Sequence, residues 1–126
     1  MLFRSIYGKV IHGELVAPYC YMDNGYLTGV YFGWKRTGEY WFSRYQWLQS
    51  QYAPSGFSFF QMESFDSLSG AWWSSKNEEL GADRPPRSAG VNVNWIRQIG
   101  TKIPVWAEDF FEKVEREKLV NVLAKS

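Results

Sequence analysis

Apolar side chains recur with two different periods along this chain. Through residues 39–48, Trp41, Tyr45 and Trp47 fall on one side of an extended backbone and Tyr40, Phe42 and Leu48 on the other, because strand side chains alternate with period two. Residues 57–65 repeat the pattern, with Phe57, Phe59 and Phe65 on one side and Phe60 and Met62 on the other. A strand that is apolar on both faces belongs to a sheet covered on both faces, or it shows an aromatic surface to a partner. Val91, Val93 and Trp95 alternate with Asn92 and Asn94, which is the pattern of a half-buried strand.

Turn chemistry divides these runs. Asp23, Asn24 and Gly25 lie between Tyr21 and Leu27, and Asn-Gly supplies the positive φ angles of a two-residue hairpin. Thr37 with Gly38, and then residues 53–56, are the next expected breaks. Residues 74–90 are rich in Ser, Asn, Glu, Asp, Arg and Gly and contain the adjacent Pro85 and Pro86. Paired prolines exclude a helix interior or a central strand, so a long surface loop is expected there.

After Pro104 the period changes. Trp106, Phe110 and Val114 recur every four residues, with Glu108, Asp109, Glu112, Lys113 and Glu115 opposite them, which predicts an amphipathic helix over about 104–124 opened by a residue favoured in its first turn. Acids come early and Lys118 and Lys125 late, as the helix dipole prefers. The apolar stripe stops at Glu117 and Lys118 and restarts with Leu119, Val122 and Leu123, so a bend or a change of face is expected between the two halves.

One internal similarity bears on curvature. Leu27, Thr28, Gly29, Val30, Tyr31 and Phe32 align with Leu68, Ser69, Gly70, Ala71, Trp72 and Trp73. A strand glycine repeated in this way points to a bulge, a corner or the close approach of a ring. The Leu-x-Gly-x-aromatic signature, over about a dozen residues, resembles strands of lipocalin-like and avidin-like barrels, which implies a curved sheet. The fold class expected is α+β: a curved antiparallel β-sheet or small open β-barrel with a C-terminal α-helix, in one domain spanning 1–126, β-rich through residue 99.

Composition narrows the function classes. The chain has 126 residues, is 45% hydrophobic and 19% aromatic, and contains seven Trp, which is enough apolar surface to offset the ordering entropy that defeats disordered chains. Cys20 is the single cysteine, so no disulfide can form within one chain; it is expected to be a small buried hydrophobe. No apolar run approaches the roughly 20 residues that cross a bilayer, and residues 1–15 lack a signal-peptide core. A cytoplasmic protein without membrane association is the expectation. The formal net charge is +1, so no global field selects a nucleic acid.

Catalytic and cofactor signatures are sparse. Nucleophilic catalysis needs an oriented base; His12 is the single histidine and lies at strand spacing from Glu14, with no motif around a nucleophile, so a surface or turn position is expected for it. One His and one Cys are too few for a zinc site, and the dispersed glycines form no phosphate loop. No cofactor or metal is expected. Glu39 and Glu63 stand within or beside aromatic strands, where burial would prime a carboxyl for acid–base work, and a small carboxylate-dependent enzyme is one alternative.

Binding fits the composition better. Trp and Tyr offer broad, stiff surfaces with one polar handle. The candidate ligand-binding residues are Trp34, Tyr40, Trp41, Tyr45, Trp47, Trp72 and Trp73, with Arg44 and Glu63 beside them. About half of these rings must be core, and adjacent Trp72 and Trp73 cannot both face inward on a regular strand. Two forms of binding are expected. A small apolar or planar molecule would require Trp41, Tyr45, Trp47, Phe59 and Trp72 to converge on one concave space; a protein partner, including a homodimer, would use a flat aromatic face. A further alternative is single-stranded nucleic acid stacked on Trp34, Lys35, Arg36, Tyr40 and Arg44, which the near-neutral charge disfavours.

Overall fold

The computed structural model describes residues 4–21, 27–48, 55–64, 66–74, 85–86, 90–96 and 102–124. The strands are β1 (Arg4–Ile6), β2 (Lys9–Ile11), β3 (Glu14–Tyr21), β4 (Gly29–Thr37), β5 (Tyr40–Trp47), β6 (Ser55–Ser64), β7 (Ser67–Ser74) and β8 (Val91–Ile96), followed by helices α1 (Val105–Glu117) and α2 (Leu119–Ala124). From β3 onward each strand pairs antiparallel with the next, while β1 and β2 both pair with β3. The sheet is an open half-barrel.

The first hairpin shows how local sequence bends the sheet. His12 and Gly13 both take positive φ, 53° and 79°, and Ile11 pairs with Glu14 across them, the geometry of a two-residue hairpin turn. His12 is thus a turn residue, as expected, and its Nε2 donates to the Glu115 carbonyl at 3.1 Å. Tyr7 and Gly8 interrupt the strand opposite β3, and the Tyr7 amide still reaches Pro18 O at 3.1 Å.

The β4–β5 turn falls where expected. Thr37 pairs with Tyr40, and Gly38, with φ 61°, supplies the positive angle of the first turn position. The expected hairpin turn at residues 23–25 lies outside the described residues, although the strands that flank it, β3 and β4, do pair. The expected break at 53–56 needs correction: Ser55 and Gly56 already belong to β6 and pair with Gln46 and Tyr45. Gly56 is there for close approach, since a Cβ on it would collide with the Trp73 carbonyl and the Tyr45 ring. The expected loop over 74–90 falls mainly on residues that are not described. Its first residue, Ser74, still belongs to β7 and pairs with Gly56, while Pro85, Pro86 and Gly90 lie outside any helix or strand.

Period-two alternation sorts the side chains between two faces. Tyr19, Tyr31, Tyr45 and Phe60 are buried on the concave face with Ala17. The convex face carries two separate clusters. One joins Ile11, Val16 and Val30 to Ala107, Phe110, Phe111 and Val114 of α1 and to Leu119 and Val122 of α2. The other is an aromatic group of Phe42, Phe57, Phe59 and Trp73. Helix α1 crosses the β2–β3 end, where Lys9 makes an exposed ion pair with Glu115 at 3.1 Å, and α2 reaches β5, with Gln46 Nε2 donating to Leu123 O at 3.4 Å.

The expected single helix is two helices. Lys118 breaks it with φ 65° and ψ 148°, where the apolar stripe stops and restarts. The break lets Leu119 and Val122 join the same cluster as Phe110 and Val114, which a straight continuation would rotate away from the sheet.

Candidate functional site

The bulge in β4 decides what the concave face contains. Phe32 pairs with Arg44 and Lys35 with Phe42, so Gly33 and Trp34 together oppose one residue, Ser43. Gly33 has φ 65°, the left-handed conformation of a glycine bulge. Strict alternation from Tyr31 would send Trp34 to the convex face; the extra residue returns it to the concave one. There its ring stacks on Phe60 at 5.9 Å and lies 6.2 Å from Tyr31 and from Trp95.

Trp95 closes the cluster from the far edge of the sheet. Its ring centre is 4.4 Å from Phe60 and 5.0 Å from Tyr31, although β8 and β4 are separated by three strands in the sheet order. Curling of the sheet is therefore strong enough to bring its last strand against its middle. The indole N–H groups of Trp34 and Trp95 are buried with no hydrogen-bond partner among the described residues. Each buried donor left unmade costs about 1–3 kcal/mol.

Beside these rings is a cavity of about 820 Å³ between the β1–β3 side and the β7–β8 side of the half-barrel. Its wall is Ile6, Val10, Leu15, Ala17, Trp34, Trp41, Met62, Leu68 and Trp95, with Gly8, Gly13, Gly33 and Glu14. Val10 and Met62 are 66% and 60% exposed, so its rim is apolar as well as its floor. Glu14 is, among the described residues, the only ionisable one in the wall. Among the described residues, strands β3 and β4 pair through 17–19 and 29–31, and beyond that ladder Glu14 Oε1 accepts the Gly33 amide at 3.2 Å, joining the two strands where they separate.

The structure divides the sequence-based candidates between the faces. Trp34, Trp41, Tyr45, Trp47 and Trp72 share the concave cluster; of these, Trp34 and Trp41 line the cavity. Tyr45 is only 4% exposed and is core. Phe59, expected among the converging residues, is on the convex face with Tyr40 and Trp73, because it pairs with Phe42 and Ala71 there. Trp72 and Trp73 do take opposite faces. Arg44 lies over Phe42 at 5.4 Å, also on the convex side. Trp95 and Leu68 were missed as cavity residues; the alternation of Val91, Val93 and Trp95 was the available signal for the first.

The carboxylate and nucleic-acid alternatives meet specific geometry. Glu39 is in the exposed β4–β5 turn, and Glu63 is an exposed residue of β6 that accepts from the Ser69 hydroxyl. Neither has the burial that the acid–base argument required. Lys35 sits over Phe42 at 5.2 Å and Arg36 over Trp41 at 5.4 Å. Trp34 thus faces away from Lys35, Tyr40 and Arg44, so the five candidate stacking residues do not share one surface. Among the described residues, no group of three or more His, Cys, Asp or Glu is arranged to hold a metal ion, and no helix is long and apolar enough to cross a membrane.

Comparison with known proteins adds no identity to this geometry: no family model, curated protein or solved structure matches the chain.

Proposed function

We propose that this protein is a non-catalytic binding protein that holds a small apolar or planar molecule against the concave face of its half-barrel. The observation that carries this reading is the cavity of about 820 Å³ with three indoles in its wall. Its size is within the roughly 300–1,000 Å³ of small-molecule pockets, which are typically apolar with a few polar groups. The sheet builds it from elements far apart in the chain, and the apolar rim of Val10, Leu15 and Met62 extends it to the surface.

Native mass spectrometry of the purified chain, with gentle desalting, tests the proposal. A reproducible added mass released by denaturation is expected, or, for empty protein, saturable quenching of tryptophan fluorescence by planar apolar probes. Absence of both would remove the proposal.

A second reading, a partner strand on β8, has its own observation. Strand β8 pairs with β7 on one side, carries no charge, and exposes Val91 and Ile96 at 51% and 69%. Uncharged edge strands are templates for pairing with another chain, so a homodimer is the alternative.

A further inference from the structure

We propose that the cavity's occupant is an amphiphilic organic cation, with an apolar body in the concave space and an ammonium-type group held between the Glu14 carboxylate and the Trp34 ring. This rests on the small-molecule reading above and names the chemistry of that ligand. Glu14 is, among the described residues, the only ionisable one in a wall that is otherwise indole, aliphatic or thioether side chain and glycine. An ionised carboxylate offers about four acceptor positions. Among the described residues, Glu14 receives one neutral donor, the Gly33 amide, and no cation within ion-pair distance. A single carboxylate among these lining residues repels a negative charge and attracts a positive one.

Among the described residues, four cations near the sheet are engaged elsewhere. Lys9 is paired with Glu115 and lies over Phe111. Lys35 and Arg44 are over Phe42 on the convex face. Arg36 lies over Trp41 at 5.4 Å and is tied by Nε to the Gly38 carbonyl at 2.9 Å, so among the described residues one indole of the wall receives a cation on its face and Trp34 does not. Indole faces attract ammonium and quaternary ammonium groups through their quadrupole, most strongly where water is thinned. Trp34 follows Gly33 in the bulge, and the Gly33 amide fixes the Glu14 carboxylate. The bulge therefore supplies both halves of the recognition site.

The test uses the full chain and three probes with the same anthracene body: anthracenylmethyl-trimethylammonium, anthracenemethanol and anthracene carboxylate, each titrated by calorimetry and by tryptophan quenching. The cation should bind about ten-fold more tightly than the alcohol, the size of a ~1.4 kcal/mol preference, and the carboxylate more weakly than the alcohol. Glu14→Gln keeps an acceptor for the Gly33 amide, so the variant should fold; it should bring the cation to the alcohol's affinity and leave the alcohol unchanged. Equal binding of cation and alcohol to the unaltered chain would overturn the inference while leaving the cavity reading standing. So would a Glu14→Gln variant that loses all three probes alike, which would make Glu14 a strand clamp. Failure of all three to bind folded protein would remove the cavity reading and this inference together.

Discussion

The Tyr45 hydroxyl donates to the Trp73 carbonyl at 3.1 Å, spanning β6 to join β5 to β7. Tyr45 is opposite Gly56, and the ring crosses the place where a side chain on Gly56 would be. Tyr19 and Gly29 repeat the arrangement between β3 and β4. Rings laid over glycines let the sheet curl tightly, and curling is what brings Trp95 against Tyr31.

Two substitutions separate the components of that contact. Tyr45→Phe keeps the ring and removes the bond, and should cost about 1 kcal/mol in urea unfolding. Gly56→Ala should cost more, roughly 1–3 kcal/mol, through forced displacement of backbone and ring. Gly33→Ala is the control. Its Cβ would meet nothing within 4 Å, so its cost, about 1 kcal/mol, comes from the positive φ alone.

A buried polar pair lies on the concave face, between Tyr45 and Trp41 in β5. The Ser43 and Ser58 hydroxyls are 2.6 Å apart and both residues are fully buried. Either serine replaced by alanine strands the other hydroxyl, at about 1–3 kcal/mol. The double variant should be markedly less destabilised than the sum of the two singles. Strict additivity in a double-mutant cycle would show that each hydroxyl has another partner.

Lys118 sits at φ 65° and ψ 148°, a region that glycine enters without a Cβ penalty and that costs other residues about 1–3 kcal/mol. Lys118→Gly should stabilise the protein despite the freer unfolded chain, by up to about 1 kcal/mol, raising Tm by about 3–5 °C. A lowered Tm would mean that the lysine side chain contributes more than its exposed position indicates.

The β8 edge gives a separate prediction. If the chain pairs through β8, sedimentation should show a dimer at high micromolar concentration, and Asn94→Lys should abolish it, because lysine on an edge strand opposes pairing. Probe binding in the cavity should be unchanged by the same substitution.

Much of the architecture is legible from side-chain parity. Trp41, Tyr45 and Trp47 against Tyr40, Phe42 and Leu48 is the division found, and so is Phe57 and Phe59 against Phe60. The interruption of the C-terminal stripe at Lys118 is a real helix break. Parity does not say which face curls inward, nor whether residues on different strands, such as Trp41 and Phe59, share a face; the register decides that by pairing Trp41 with Phe60. Contacts such as Trp95 on Phe60 depend on the curvature of the whole sheet, which no local window contains. The hairpin at His12 and Gly13 rests on a positive φ at a histidine, an uncommon conformation that composition does not announce.

The Gly33 bulge is an insertion that the sheet absorbs. Removing Gly33, with every remaining side chain unchanged, would set Trp34 two positions after Tyr31 and directly opposite Ser43, so strict alternation would leave the facing of Trp34 and of its following neighbours as it is. A single-codon deletion there would therefore spare the rings and take away the amide that Glu14 accepts. What the extra residue adds to the strand is a backbone donor rather than a change of sides.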